Sequence, residues 1–296
     1  MKIGYACINR SLDCSSASTF RLASYSEERF RETVASNLCC LERIFRWNEE
    51  HDLRFFRISS DLIPFASHPV CGVRWWEEFA AKFARLGAFA KRHGFRISMH
   101  PDQFIVLNSP RPEVVERSIA ELVYHARVLD AMKLGASAKI QLHAGGAYGN
   151  PHKALDRFVQ IYKTLPDTVK KRLVVENDDR VFSLRDVLYV NTKTGIPILF
   201  DTFHHACRNN GETLEEALVE AGNTWRKRDG IPMIDYSTQK AYAPRGAHTE
   251  SIDPDDFDRF VQRTAHLEFD IMLEIKNKEA CALRALEIAR THRKVE

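Results

Sequence analysis

Histidines and carboxylates close successive short apolar runs in this 296-residue chain. His100 ends the run 95–100, His143 the run 138–143, Glu176 the run 173–176 and Asp201 the run 196–201, with His204 and His205 just beyond. Asp235 lies in the run 231–236, His248 follows in a loop, and Glu274 lies in the run 269–275. Imidazole and carboxylate without thiolate is a donor set that suits zinc, manganese and similar first-row ions. Taken singly, a histidine at such a place is more often a hydrogen-bonded structural residue, and a carboxylate more often a helix cap. Six consecutive runs ending this way are harder to assign to chance. Three or more carboxylates gathered at low dielectric repel one another. Metal ions are the economical compensation, and there are ligands enough for two or three. Such clusters clamp the oxygens of a phosphodiester during in-line displacement. Metal-dependent sugar isomerases draw on the same ligand types.

The elements that must position these residues alternate strictly. Strands are expected at 3–7, 55–59, 95–100, 138–143, 173–176, 196–201, 231–236 and 269–275. Helices are expected at 27–50, 75–93, 112–133, 151–164, 184–190, 214–226, 255–264 and 279–291. In the first helix, Phe30, Val34, Leu38, Leu41, Ile44 and Phe45 recur at helical spacing, and Ser26 is placed to cap it. Alternating βα units call for a parallel sheet, and near-continuous apolar strands fit burial on both faces. Eight units predict an α/β fold of the closed (β/α)8 TIM-barrel type, one domain over 1–296. The strand ends of such a barrel meet at one mouth, which is where active sites sit. Neither G-x-G-x-x-G after the first strand nor G-x-x-x-x-G-K-[ST] occurs, so Rossmann and P-loop readings lack their signatures.

Composition sets the remaining bounds. The chain is 44% hydrophobic and 28% charged, which excludes wholesale disorder. No run approaches the roughly 20 apolar residues of a membrane span. Met1-Lys2-Ile3-Gly4-Tyr5 leads directly into a strand without a signal-peptide core, which predicts a cytoplasmic protein. The net charge of +3 is too mild to announce nucleic-acid binding, although an acidic site can offset a basic rim. Arg10, Arg21, Arg57, Lys153, Arg180, Arg226, Lys227, Arg228, Lys240, Arg245 and Lys278 are expected in or near loops at the mouth, where they can track phosphates. Seven scattered cysteines without C-x-x-C argue against a disulfide framework or zinc ribbon and predict mostly buried thiols.

The loops carry further chemistry. Pro101-Asp102-Gln103-Phe104 follows His100, and an aromatic beside an amide can wedge into a base stack. Ala144-Gly145-Gly146-Ala147-Tyr148-Gly149 follows His143, and glycines admit close approach of a ligand to the backbone. Together with Gly4-Tyr5-Ala6-Cys7-Ile8-Asn9, Ile63-Pro64-Phe65-Ala66-Ser67-His68-Pro69, Ser98-Met99-His100-Pro101-Asp102-Gln103-Phe104, Glu176-Asn177-Asp178-Asp179, Asp201-Thr202-Phe203-His204-His205, Arg245-Gly246-Ala247-His248 and Glu274-Ile275-Lys276-Asn277-Lys278-Glu279, the chain resembles the UV damage endonucleases from its first strand to its last helix.

That resemblance implies a TIM barrel related to endonuclease IV, holding two or three divalent ions, manganese foremost, with zinc or magnesium as alternatives. It implies nicking of duplex DNA immediately 5′ of cyclobutane dimers and 6-4 photoproducts by metal-assisted phosphodiester hydrolysis, on a monomer with no membrane partner. The implied metal ligands are His100, His143, Glu176, Asp201, His204, Asp235, His248 and Glu274, with Glu176 bridging two ions. Glu176, Asp201 and Glu274 are the implied catalytic residues. Gln103 and Phe104 would probe the stack, Tyr5 and Asn9 would contact the lesion or its strand, and His68 would lie near the site. Two positions depart from the family pattern. The probing pair is commonly Gln-Tyr, here Gln103-Phe104. Strand seven commonly carries Lys-x-His, here Met233-Ile234-Asp235, so that a carboxylate stands at a histidine ligand's place and Met233 cannot replace the lysine. The alternatives on the same barrel are an abasic-site endonuclease of the endonuclease IV type and a metal-dependent sugar isomerase. A damage-binding module without catalysis is a further alternative, against which the nearly full ligand set argues.

Overall fold

Short runs buried on both faces become strands in the structure, a computed structural model that describes residues 1–293 and 295. The strands are β1 (Ile3–Cys7), β2 (Phe55–Ile58), β3 (Arg96–Met99), β4 (Lys139–His143), β5 (Leu173–Glu176), β6 (Ile198–Asp201), β7 (Met233–Tyr236) and β8 (Asp270–Leu273). Each pairs in parallel with the next, and β8 pairs with β1, so the barrel closes in chain order. The helices are α1 (Glu27–Glu50), α2 (Trp75–Glu78), α3 (Ala80–Arg92), α4 (Pro112–Ala131), α5 (Pro151–Thr164), α6 (Asp167–Lys170), α7 (Leu184–Thr194), α8 (Thr202–Cys207), α9 (Leu214–Gly222), α10 (Pro254–Arg263) and α11 (Lys278–Arg290). Among the described residues, no helix is long and apolar enough to cross a membrane.

Local chemistry sets the helix ends. Ser26 accepts the Arg29 amide at 3.1 Å, and Pro112 and Pro151 open α4 and α5, where a missing N–H costs nothing. The helix expected over 75–93 is two helices, because the backbone leaves the helical region at Phe79. The helix expected over 214–226 stops at Gly222. One element unread in the sequence matters for the site: α8 starts directly after β6 because Asp201 accepts the His204 amide at 2.7 Å and caps it.

The barrel interior is layered by strand alternation. Ala6, Phe55, Val174, Leu199, Met233 and Met272 form an apolar inner layer. Two residues further along the same strands stand Arg57, Glu176, Asp201, Asp235 and Glu274, joined by Gln141 from β4. The opposite end of the barrel is closed by the Lys139–Asp229 ion pair at 2.5 Å, with both Lys139 and Arg96 over the Trp225 ring. The apolar layer therefore seals the polar one from below and leaves it open only to the mouth.

Two expectations are corrected here. Cys14 and Cys40 form a disulfide that ties the 9–25 loop to α1, and of the free cysteines among the described residues only Cys281 is buried. The loop's return onto α1 brings the two sulfurs together, and spacing along the chain does not show that. The cations also divide. Arg57 lies inside the barrel, while Arg226, Lys227 and Arg228 lie between α9 and β7, at the end away from the mouth.

Candidate metal centre

The strand ends converge as their residue types require. Glu176, buried at the end of β5, is the hub. Its Oε2 lies 3.7 Å from His100 Nε2 and 3.6 Å from His143 Nε2, and its Oε1 lies 3.1 Å from His204 Nδ1. His204 also stands 3.5 Å from Asp201 Oδ2, because α8 folds the histidine back over the strand it follows. Three overlapping groups could each hold an ion: His100, His143 and Glu176; Glu176, Asp201 and His204; and Asp201, Asp235 and Glu274. His248 joins at the rim, with Nε2 at 3.9 Å from Glu274 Oε2 and its ring 5.9 Å from that of His204. His205, by contrast, pairs with Glu212 and packs on Phe200.

Supporting contacts fix these groups. Gln141 Nε2 donates to Glu176 Oε2 at 2.5 Å and to Asp235 Oδ2 at 2.6 Å. Asn177 exchanges hydrogen bonds with the backbone of Asp201, donating from Nδ2 to its carbonyl and accepting its amide at Oδ1. Arg57, 3% exposed, donates from Nη2 to both Asp235 oxygens at 2.7 and 2.8 Å and from Nη1 to Glu274. Sequence reasoning missed Gln141 and placed Arg57 on the rim. The available signal was a polar residue in the middle of an otherwise apolar strand.

The electrostatics favour a cation. Burial works against a charged His204, yet Asp201, Glu176 and Glu274 overrule it and hold the imidazolium up to about 11. Burial, with Arg57 nearby, drives His100 down to about 3 and keeps it neutral, the form in which histidine is a ligand. Burial pushes the Asp201 carboxyl up. Buried His100 Nδ1 has no hydrogen-bond partner, and Asp201 Oδ2 has only His204 Nδ1 at 3.5 Å, although burying such atoms unpaired is costly. Unsatisfied oxygen and nitrogen atoms beside several carboxylates are what divalent ions satisfy, so the residues fit the group expected of them.

The other expected site residues are placed less uniformly. Gln103 and Phe104 stand exposed on the β3 loop, Phe104 at 75%, and share a groove with Tyr148, Arg111 and Arg117. Tyr5 points outward from β1 into the helical layer and is fully buried. Its hydroxyl donates to Asn48 at 2.6 Å and accepts from Asn9 at 2.8 Å, and Asn9 is itself buried. Both brace the β1 loop in this structure and present no surface to a strand. His68 is exposed, with Phe65 and the Val70 amide as its partners, not the cluster. Gly145, at φ +93°, makes room for a neighbour and not for a ligand: a Cβ there would stand 2.2 Å from Asn108 Oδ1. Asn108 locks the β3 and β4 loops together by donating to the Gly146 carbonyl at 2.8 Å.

A closed parallel barrel with a buried histidine–carboxylate cluster of metal-holding type at its C-terminal mouth is the class these features define. The comparisons narrow it: the family model described as UV-endonuclease UvdE matches residues 1–296, and the chain belongs to that family. It is 38% identical over 288 residues to a UV DNA damage endonuclease of Clostridium perfringens, covering 97% of this chain and 70% of that protein. A UV DNA damage endonuclease of Bacillus thuringiensis is 34% identical over 297 residues, covering 97% and 94%. The crystal structure of SacUVDE superposes with a TM-score of 0.94 at 45% identity over 98% of both chains. Endonuclease IV from Thermus thermophilus, at 15% identity and a TM-score of 0.55 over 85% of this chain and 93% of that one, shares the fold.

Proposed function

We propose that this chain is a metal-dependent DNA repair endonuclease that nicks duplex DNA immediately 5′ of UV photoproducts, cyclobutane dimers and 6-4 photoproducts among them. Membership of the family along the whole chain carries the reading. The cluster around Glu176 supports the chemistry. His100, His143 and Glu176 would hold one ion, and Glu176, Asp201 and His204, with His248 beside them, another. Manganese suits this mixed nitrogen and oxygen set, and zinc and magnesium are the alternatives. Divalent ions there supply Lewis-acid charge to a phosphodiester undergoing hydrolysis.

The chain's own residues do the rest. Gln141 holds Glu176 in register, and Asn177 and the α8 cap hold Asp201 and His204. Glu274, at the mouth side of β8, completes the acidic wall. Phe104 and Gln103, projecting from the rim, would test the base stack, since a photodimer costs less to unstack and flip than normal bases. Exposed Arg10, Arg21, Lys153, Arg180 and Arg245, with Lys240 and Lys278, line the mouth side and would meet phosphates. The enzyme would act as a monomer on cytoplasmic DNA.

The test is a duplex carrying one defined cyclobutane dimer, incubated with Mn²⁺ or with EDTA beside an abasic duplex and an undamaged one. A single manganese-dependent cut 5′ of the dimer is expected. Cutting confined to the abasic duplex would overturn the lesion assignment.

A further inference from the structure

Within the acidic mouth, one carboxylate already has a cation. Asp235 is fully buried, and both its oxygens accept from Arg57 Nη2 at 2.7 and 2.8 Å. The same nitrogen donates to Gln141 Oε1 at 2.6 Å, and Nη1 donates to Glu274. Gln141 closes the circuit by donating to Asp235 Oδ2 at 2.6 Å. The guanidinium reaches this place because Arg57 lies on the inner face of β2, two residues beyond Phe55 of the apolar layer, and Asp235 lies likewise two residues beyond Met233 on β7. The Met233 side chain belongs to that apolar layer and offers the mouth no donor.

We propose that Arg57 is a built-in cation that fills the third of the three candidate positions, the one formed by Asp201, Asp235 and Glu274, so that this enzyme works with two divalent ions and a fixed guanidinium. The inference rests on the metal-dependent reading above. Its physical basis is occupancy and charge. A guanidinium keeps its proton at any working pH, so this charge cannot leave, and a buried charge stays only where it is paired. Both Asp235 oxygens already accept from Arg57, and Oδ2 from Gln141 as well, so a metal at this position would have to compete with a resident cation for its carboxylate. Of the four carboxylates in the mouth, Arg57 offsets one, and two divalent ions more than offset the other three. A third ion would face a resident positive charge with no unshared carboxylate from β7 to hold it. The two remaining positions share Glu176 and use His100, His143, Asp201 and His204, none of which Arg57 contacts by hydrogen bond.

The experiment counts ions on the whole chain by native mass spectrometry and elemental analysis after saturation with MnCl₂ and removal of free metal. Two ions per chain are expected. Three would overturn the role of Arg57 and one would overturn the two-ion count, both leaving the metal-dependent reading intact, whereas none would overturn both. A double variant, Arg57→Leu with Asp235→His, removes the guanidinium and supplies an imidazole. It should gain one ion per chain, with circular dichroism reporting its fold, and a folded variant still holding two would overturn the proposal. If the variant does not fold, the wild-type count decides alone.

Discussion

Glu176 Oε1 stands 3.1 Å from His204 Nδ1, a contact that crosses from the end of β5 to the short helix after β6. Its other oxygen faces His100 and His143, so one carboxylate joins two halves of the mouth. Glu176 thus belongs to two of the candidate ion-holding groups, held from behind by Gln141.

Glu176→Gln keeps the shape and removes the charge. Nicking of a dimer-containing duplex should fall by about 10³-fold, the scale on which single charge-stabilising groups act. Circular dichroism should show an unchanged fold and gel-shift assays should show retained DNA binding. Near-wild-type nicking would remove the bridging role.

Phe104 packs against little, so Phe104→Ala should change stability by no more than about 0.5 kcal/mol. Its ring is the one that would stack on bases. Affinity for the damaged duplex should drop by about 1–3 kcal/mol, roughly 5- to 150-fold. Fluorescence anisotropy with damaged and undamaged duplexes measures both the loss and its selectivity.

Ions that bind only the folded mouth stabilise it by mass action. At free manganese about 100-fold above its dissociation constant, a single site adds about 2.7 kcal/mol, and EDTA should reverse it. Scanning calorimetry across a manganese titration checks this. A melting temperature that stays constant throughout would count against any ion at the centre.

His125 supplies a pH dependence from outside the carboxylate cluster, linked to the His100 carbonyl only through Ser60 Oγ. It is fully buried on α4, with Nδ1 at 2.8 Å from the Glu121 carbonyl and Nε2 at 3.0 Å from Ser60 Oγ, and burial holds it down to about 4. The unfolded chain takes up this proton near pH 6.5 and the folded chain only near pH 4. Its share of stability is therefore complete above pH 6.5 and is lost as pH falls toward 4, by about 3 kcal/mol in all. Urea unfolding from pH 7 to 4 should show this slope, and His125→Gln should flatten it. An identical slope in the variant would place the acid sensitivity elsewhere.

Much of the fold was legible because barrel strands are short, buried on both faces and separated by helices with clear starts, such as Ser26 before α1 and Pro112 in α4. The cluster was legible for a related reason: in a closed parallel barrel all strand ends meet, so His100, His143, Glu176, Asp201 and Glu274 are neighbours once closure is granted. Period-two alternation, however, names two faces without saying which is inside. Tyr5, assigned to DNA by resemblance alone, is turned outward to Asn48 by β1, and Arg57, read near the mouth loops, is turned inward by β2. The Arg57–Asp235 pair spans 178 residues, and the Cys14–Cys40 bond joins a loop to a helix. Local pattern carries no record of either contact. Only closure of the barrel, which sets the facing strands and the inner face of each, decides that Asp235 meets a guanidinium in the mouth of this protein.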